Sequence, residues 1–486
     1  MTDEDIAYAG IGELRDLMAA RQLSPRELVE ATLSRIERSQ PVLNAFITVC
    51  ADEARRDARR AEEAILRGQT LGPLHGIPFT VKDNIATAKV RTTFGSRIFE
   101  HHVPERDAVA VARARAAGAI LVGKTTTPEF AFLGMTEAPL FGRTANPWRP
   151  DRTCGGSSGG AGAAVAAGLG TVAIATDAGG SIRIPAACNG VVAIKQSLGL
   201  VPHDWADDVF GNTQYVSPMA RSVLDAAILL DVIAGPDPSD PHTLHRRPDS
   251  HAQAARSGGD LQGVRIQWRP LLGNAVVSED VIRKCEASLA RAIAMGARVD
   301  GSDAPFENQE QLIARINASS RRAQYGALLK QHRSIMCPKF VRQLENVSAL
   351  SADDLWQGLF QRTRLFHHVQ SWFDGADLIA MPTLARGALP IDQDFFGPIE
   401  IDGKLTDTPR RAWYPYTIPF NATGHPALTI PCGLDRDGLP VGLQLVGPIG
   451  SDARLLRIGA LLEKAADPIG RPPLPGIDDP GCVSRS

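Results

Sequence analysis

The chain is poor in cysteine. It has seven in 486 residues, an odd number, with no C-x-x-C pair among them. A disulfide framework or a cysteine-built zinc site is not expected, and reduced thiols fit better. An excess of either charge is also lacking. Fifty-two Lys and Arg stand against 54 Asp and Glu, for a net charge of -2. The basic surface that nucleic acid or an anionic membrane would need is missing. No apolar run approaches the roughly 18 residues of a membrane span. The opening Met1-Thr2-Asp3-Glu4-Asp5 is acidic where a secretion signal would be basic, and no apolar core follows it. A soluble, cytoplasmic protein without nucleic-acid or membrane partners is the expectation.

What is present is ordinary globular material, 44% hydrophobic and 22% charged. The first 70 residues read as helices. Ser24-Pro25 opens one of them, with Ser24 as N-cap, Pro25 at the first position and Glu27 at the third. Arg55-Arg56 and Arg59-Arg60 alternate with acids in a run ending at Gly68, the pattern of a solvated, salt-bridged helix face. Short apolar strands follow at 77–81, 119–122, 172–175 and 191–194, with helical stretches at 108–117 and 223–233 between them. After a Pro/Asp/His-rich connection at 235–248, strand character returns at 264–267, 377–381, 427–430 and 441–446. A helix over 279–295 and a mostly helical block at about 307–373 lie among these. Strands separated by helices predict an α/β fold on a parallel or mixed sheet that collects strands from both halves.

The densest chemical signal lies between Cys154 and Gly190. Gly155-Gly156-Ser157-Ser158-Gly159-Gly160 has too many glycines for the interior of a helix or strand. A linker composition of this kind would not run straight into 161–170 and then a buried strand. That strand ends in Thr176-Asp177-Ala178-Gly179-Gly180-Ser181, where two glycines precede a serine that opens a helix. Such a turn exposes a hydroxyl beside free backbone N–H groups that suit a developing oxyanion. Alone, Gly179-Gly180-Ser181 is an ordinary glycine turn. Lys82 ends strand 77–81, and a lysine there is either a snorkelling surface residue or a buried functional amine.

Lys82, Ser157 and Ser181, each within its own motif, resemble the serine–serine–lysine arrangement of the amidase signature family, which hydrolyses carboxamides. The similarity extends through Gly76-Ile77-Pro78, Gly123-Lys124-Thr125, Pro218-Met219-Ala220-Arg221-Ser222-Val223, Asn421-Ala422-Thr423-Gly424-His425-Pro426-Ala427 and Gly438-Leu439-Pro440-Val441-Gly442-Leu443-Gln444. The resemblance implies one amidase domain over 1–486, with a large mixed sheet flanked by helices on both faces. Within it lie a helical N-terminal segment at 1–70, a signature core at 71–235 and a helical excursion at 300–375. It makes Ser181 the nucleophile, Ser157 a bridging serine after a cis peptide bond, and Lys82 the base. The N–H groups of Ala178, Gly179, Gly180 and Ser181 would form the oxyanion hole. Ser158, Asp177 and Arg183 would support them. An ammonium cannot accept a proton, so Lys82 must be neutral; burial can lower a lysine from about 10.4 by up to 3–5 units. No cofactor or metal is implied.

Four other patterns are discounted. Gly118-Ala119-Ile120-Leu121-Val122-Gly123-Lys124-Thr125 fits the phosphate-loop spacing, yet its four intervening residues are themselves a strand. Gly156-Ser157-Ser158-Gly159-Gly160 fits a nucleophile elbow, which needs an apolar strand before it; a loop, 146–151, stands there instead. The pairs His101-His102 and His367-His368 cannot each put two rings on one helical face, so a metal role is not expected. Cys154 has no apparent base and reads as a small buried residue.

Departures from the family bear on substrate and partner. Gln196-Ser197 replaces the usual Pro-Thr after Lys195, which suggests a reshaped pocket floor, and Val216-Ser217-Pro218 replaces a commoner Gly-Pro. The tyrosine-rich helix typical of the glutamyl-tRNA amidotransferase component of this family is absent from 319–330, where only Tyr325 stands. Phe132, Met135, Trp205, Phe210 and Trp413 are candidates for an apolar pocket as well as for core. A small aryl or alkyl amide is the expected substrate, with carbamate (urethanase activity) or ester cleavage left open. The alternative is an amidotransferase-type or non-catalytic member of a complex. A homodimer is also left open.

Overall fold

Runs of Val, Ile, Leu and Ala that are apolar on both faces suit a sheet covered from both sides. Eleven strands join one such sheet. The computed structural model describes residues 2–474 apart from 246–249, 303 and 347–349, with backbone alone at 313 and 314. In chain order the strands are β1 (Phe46–Val49), β2 (Pro78–Lys82), β3 (Ile120–Thr125), β4 (Val172–Asp177), β5 (Val192–Lys195) and β6 (Tyr215–Ala220). Then come β7 (Arg265–Trp268), β8 (Arg298–Gly301), β9 (Leu378–Pro382), β10 (Ala427–Leu434) and β11 (Pro440–Val446). Their order across the sheet is β1-β3-β2-β4-β6-β5-β10-β11-β9-β7-β8. β2 is parallel to β3 and β4, and β7 to β8 and β9; the other pairs are antiparallel. The mixed sheet does draw on both halves of the chain.

The N-terminal helices are α1 (Asp3–Tyr8), α2 (Ile11–Ala19), α3 (Pro25–Leu43) and α4 (Ala51–Leu66). Ser24 caps α3 as expected: its Oγ accepts the Glu27 N–H at 3.2 Å, and Glu27 Oε2 accepts the Ser24 N–H at 2.8 Å. The first 70 residues are not helical throughout, however. β1 intervenes, its Phe-Ile-Thr-Val sequence favouring a strand and pairing antiparallel with β3. Then follow α5 (Val109–Ala116), α6 (Gly159–Ala166), α7 (Arg183–Asn189), α8 (Val223–Ile233), α9 (His251–Arg256) and α10 (Glu279–Ala294). The helical block comprises α11 (Glu310–His332), α12 (Pro338–Glu345) and α13 (Ala352–Ser371), and α14 (Ile418–Thr423) and α15 (Asp452–Ala465) complete the set.

Strand alternation sorts the helices packed on the sheet between its two faces. Phe79 and Val81, Val172 and Ile174, and Leu443 and Leu445 pack with α5, α8, α10 and α15. On the opposite face Ile120 and Val122 meet α3, α4 and α6, while Ala173, Ala175 and Met219 meet α6 and α7. Residues of β2 that alternate with Phe79 and Val81, Lys82 among them, therefore point toward α6. Made only of Gly, Ala and one Val, α6 is buried along its whole length and can lie close to the sheet. Among the described residues no helix is long and apolar enough to cross a membrane.

That close approach makes a prediction. A Cβ on Gly160 would stand 2.3 Å from Thr126 Oγ1, 2.5 Å from Thr126 N and 2.6 Å from Ala45 O, two of these being backbone atoms. Gly160→Ala should lose about 1–3 kcal/mol by overpacking. Gly12→Ala, on α2 with open space around it, should gain up to about 1 kcal/mol from reduced chain entropy. Urea unfolding of the two variants measures both. Equal effects would contradict this packing.

Candidate active site

β2 and β4 are parallel neighbours, so their carboxyl ends open at the same edge of the sheet, where open α/β sheets bind ligands. Lys82 ends the first and Asp177 the second. Ser157 follows a cis Gly156–Ser157 peptide bond immediately before α6. Ser181 stands in the turn from β4 to α7. The two serine segments are tied together by the Ser158 N–H, which donates to the Ser181 carbonyl at 3.0 Å.

Lys82 is fully buried. Its Nζ lies 2.7 Å from Ser157 Oγ, 3.0 Å from Thr176 Oγ1 and 3.5 Å from the Thr176 carbonyl. Burial pushes the amine down to about 7, against the opposing pull of the Asp177 charge. Those three neighbours match an uncharged amine. Its two N–H groups can donate to the Thr176 oxygens while its lone pair accepts the Ser157 hydroxyl proton. Asn84 Nδ2 donates to Thr176 Oγ1 at 3.0 Å and so holds that hydroxyl in place.

Asp177 is buried as well, which by itself would raise its carboxyl. The Arg183 charge and hydrogen bonds outweigh that and hold it below the usual carboxylate range. Arg183 reaches Asp177 in a fork, Nε to Oδ2 at 2.9 Å and Nη2 to Oδ1 at 3.1 Å. The C-terminal half supplies the remaining partners. Arg183 donates to Gln444 Oε1 at 2.8 Å and to Asn421 Oδ1 at 2.5 Å, and Asn421 Nδ2 donates to Asp177 Oδ1 at 2.9 Å. Ser158 Oγ donates to the Thr176 carbonyl at 3.1 Å.

The turn at 178–181 has two sides. Ala178, Gly179 and Ser181 are half-buried and line cavities. Gly180 is buried, and its N–H points inward to Asp177 Oδ1 at 2.6 Å. Of the four N–H groups expected to face an oxyanion, Gly180's is thus engaged with Asp177. Gly180 has φ +117°, and a Cβ there would meet Thr417 Oγ1 at 2.2 Å. Thr417 Oγ1 in turn donates to the Gly179 carbonyl at 2.7 Å.

Two cavities share Ser181. One, about 430 Å³, has Ser157, Thr176 and Asn84 in its lining, together with Phe130, Trp205 and Tyr325. The other, about 50 Å³, is lined by Phe132, Leu133, Ile184 and Ile418 beside polar groups of α11 and of the segment ahead of α14. Of the expected aromatic residues, Trp205 and Phe132 take part. Met135 and Trp413 belong to the core, with the Trp413 indole donating to the Arg386 carbonyl at 3.1 Å. Phe210 is 78% exposed and lines neither cavity. Gln196 faces away from both: its Nε2 donates to the Val216 carbonyl at 3.0 Å, so the Lys195-Gln196-Ser197 departure does not form the pocket floor.

The residues set aside also find places. Lys124 is buried in β3, its amine bonded to the Ile85 carbonyl at 2.5 Å and to Thr87 and Thr92 Oγ1 at 2.8 and 2.9 Å. The Gly-Lys-Thr triplet is part of the core. The Cys154 thiol is pushed up to about 12 by burial, the opposite of a nucleophile's need. Thr176, Asn84, Asn421 and Gln444 were given no role by sequence reasoning, though all but Asn84 and Thr176 fall in the C-terminal motifs.

Comparison with known proteins agrees with the geometry. The amidase family model matches residues 27–456. The chain is 34% identical over 465 residues to an acylamidase from Rhodococcus erythropolis, covering 95% of this chain and 96% of that protein. It is 35% identical to the A component of the glutamyl-tRNA(Gln) amidotransferase from Synechococcus sp. (strain CC9605), over 94% of this chain and 96% of the other. The crystal structure of a bacterial aryl acylamidase of the amidase signature family superposes with a TM-score of 0.87 at 30% identity, covering 94% of this chain and 96% of that one. The sheet, the placement of the motifs at its carboxyl edge and these likenesses lead to one conclusion: this chain belongs to the amidase signature family and is an amidase, a hydrolase.

Proposed function

We propose that the protein hydrolyses small carboxamides through a Ser181–Ser157–Lys82 relay and an acyl-enzyme. The observation that carries this reading is the 2.7 Å contact between Ser157 Oγ and a buried amine pushed down to about 7. Neutral Lys82 takes the Ser157 proton as Ser157 takes that of Ser181. The Ser181 Oγ–C bond then forms, and the carbonyl electron pair moves onto oxygen. The N–H groups of Ala178, Gly179 and Ser181 face that oxyanion, while Gly180 fixes the turn through Asp177. Collapse of the intermediate breaks the C–N bond, with Ser157 returning a proton to the leaving nitrogen. Water releases the acyl group by the same relay in reverse. Asp177, Arg183 and Ser158 position the turn. A small aryl or alkyl amide is the proposed substrate class, and carbamates and esters present the same electrophilic carbonyl.

A second reading, a chain that works only inside a complex, is favoured by the likeness to the amidotransferase component. Labelling of the isolated chain by a fluorophosphonate separates the two. Absence of Ser181 labelling in the isolated protein would favour the complex.

The relay makes its own predictions. Ser181→Ala and Lys82→Met should each lower kcat/KM for an anilide by about 10²–10⁴-fold or more. Both should leave circular dichroism unchanged. Because the protonated amine is inactive, kcat/KM should be level above pH 7 and fall about tenfold for each pH unit below it. A Lys82→Met enzyme active at neutral pH would exclude the relay.

Stability should follow the same amine. Its value is about 7 folded against an ordinary 10.5, so the unfolded chain binds the extra proton between those limits. Wild-type stability therefore rises with pH across that window, and the deficit below it is about 5 kcal/mol. The stability of Lys82→Met relative to wild type should accordingly decline as pH is raised from 6 to 10. A difference independent of pH would show that the amine is not shifted.

A further inference from the structure

The smaller of the two cavities at Ser181 carries an unusual charge set. Arg321 of α11 and Arg410 both line it, with Glu310, Asn317 and Tyr414 between them. One carboxylate thus faces two guanidinium groups. Glu310 Oε1 lies 4.0 Å from Arg410 Nη1, the outer limit of an ion pair. Arg321 Nη1 donates to a neutral acceptor, Gln343 Oε1, at 3.3 Å. Burial and the charge of Arg410 both act against the charge on Arg321, lowering it to about 10. A half-buried pair of like charges with a single counter-charge gains most from one more anion.

The chemistry at Ser181 decides which part of a substrate enters. Ser157, the proton donor to the leaving nitrogen in the proposed relay, lines the larger cleft and not the smaller cavity. The leaving amine then lies on the Ser157 side and the acyl chain runs into the smaller cavity, which Gly179 and Ala178 line. Arg321 borders the larger cleft as well, but Arg410 lines only the smaller cavity, and Asp207 and Asp208 on the larger cleft repel an anion there. A volume of about 50 Å³ suits a short chain and a compact head. The planar fork of a guanidinium matches a carboxylate.

We propose that the substrate's acyl part is a short chain ending in a carboxylate, which Arg321 and Arg410 bind in the cavity beside Ser181. The protein is then selective for half-amides of short dicarboxylic acids over simple acyl amides. This rests on Ser181 as nucleophile, so the test must separate the two ideas.

N-succinyl and N-butyryl p-nitroanilide present the same acyl length with and without the charge. The succinyl compound should be favoured by about 10–100-fold in kcat/KM, the range of a charged hydrogen-bonded contact. The preference should appear mainly in KM and shrink in high salt. In Arg321→Gln the succinyl-to-butyryl ratio should fall toward one, and Arg321→Lys should restore part of it. A purely structural arginine would lower both substrates alike and leave the ratio unchanged. An equal or reversed wild-type preference, or a ratio unmoved in Arg321→Gln, overturns the proposal. If neither anilide is turned over, the relay reading fails separately. Calorimetry on Ser181→Ala then decides the subsite: tighter binding of the succinyl anilide supports it, and equal binding overturns it.

Discussion

A lysine amine held away from water governs the rest of this site. In solution the amine would carry a charge at neutral pH and could accept no proton. At the end of β2 strand alternation turns Lys82 inward, on the side opposite Phe79 and Val81, and α6 closes over it. Desolvation then works against the ammonium form. In its neutral form the amine has a partner for each of its two donors and its lone pair, so it lies buried without an orphaned group.

A buried carboxylate nearby threatens that state, since Asp177 favours a charged Lys82. The Arg183 fork answers it by placing a cation directly against both Asp177 oxygens. Buried ion pairs are weak sources of stability and strong sources of trouble when half-satisfied. Here Asn421 and Gln444, from α14 and β11 late in the chain, complete the set of hydrogen bonds. The network thus fastens the C-terminal half to the turn that carries Ser181. Through the Gly180 N–H it also ties down that turn, whose Ala178, Gly179 and Ser181 line the cavity.

Much of the fold could be read from local pattern. The helix at 223–233 falls at Val223–Ile233, and the strand at 77–81 falls at Pro78–Lys82, because apolar period and capping are local properties. β1, β6 and β8 are absent from the sequence expectations: β1 is four residues long within a helical stretch, β6 carries Ser217-Pro218 in its middle, and β8 is a four-residue strand at the sheet edge. The site was legible in a different way. Gly/Ser-rich segments announce special backbone, and period-two alternation already turns Lys82 away from Phe79 and Val81. Thr176 and Asn84 gave no such signal, because a threonine and an asparagine become partners of Lys82 only once β2 and β4 lie side by side. Arg321 and Arg410 were hidden for the same reason. They sit on separate elements, and only the tertiary fold brings both to one cavity.

The most direct measurement is a titration of the Lys82 amine itself, followed by NMR of isotope-labelled lysine side chains and assigned by the signal missing in Lys82→Met. A midpoint near 7 is expected, well below that of the exposed lysines. A Lys82 signal that titrates with them, near the ordinary 10.5, would mean that the amine is charged at neutral pH and cannot begin the relay.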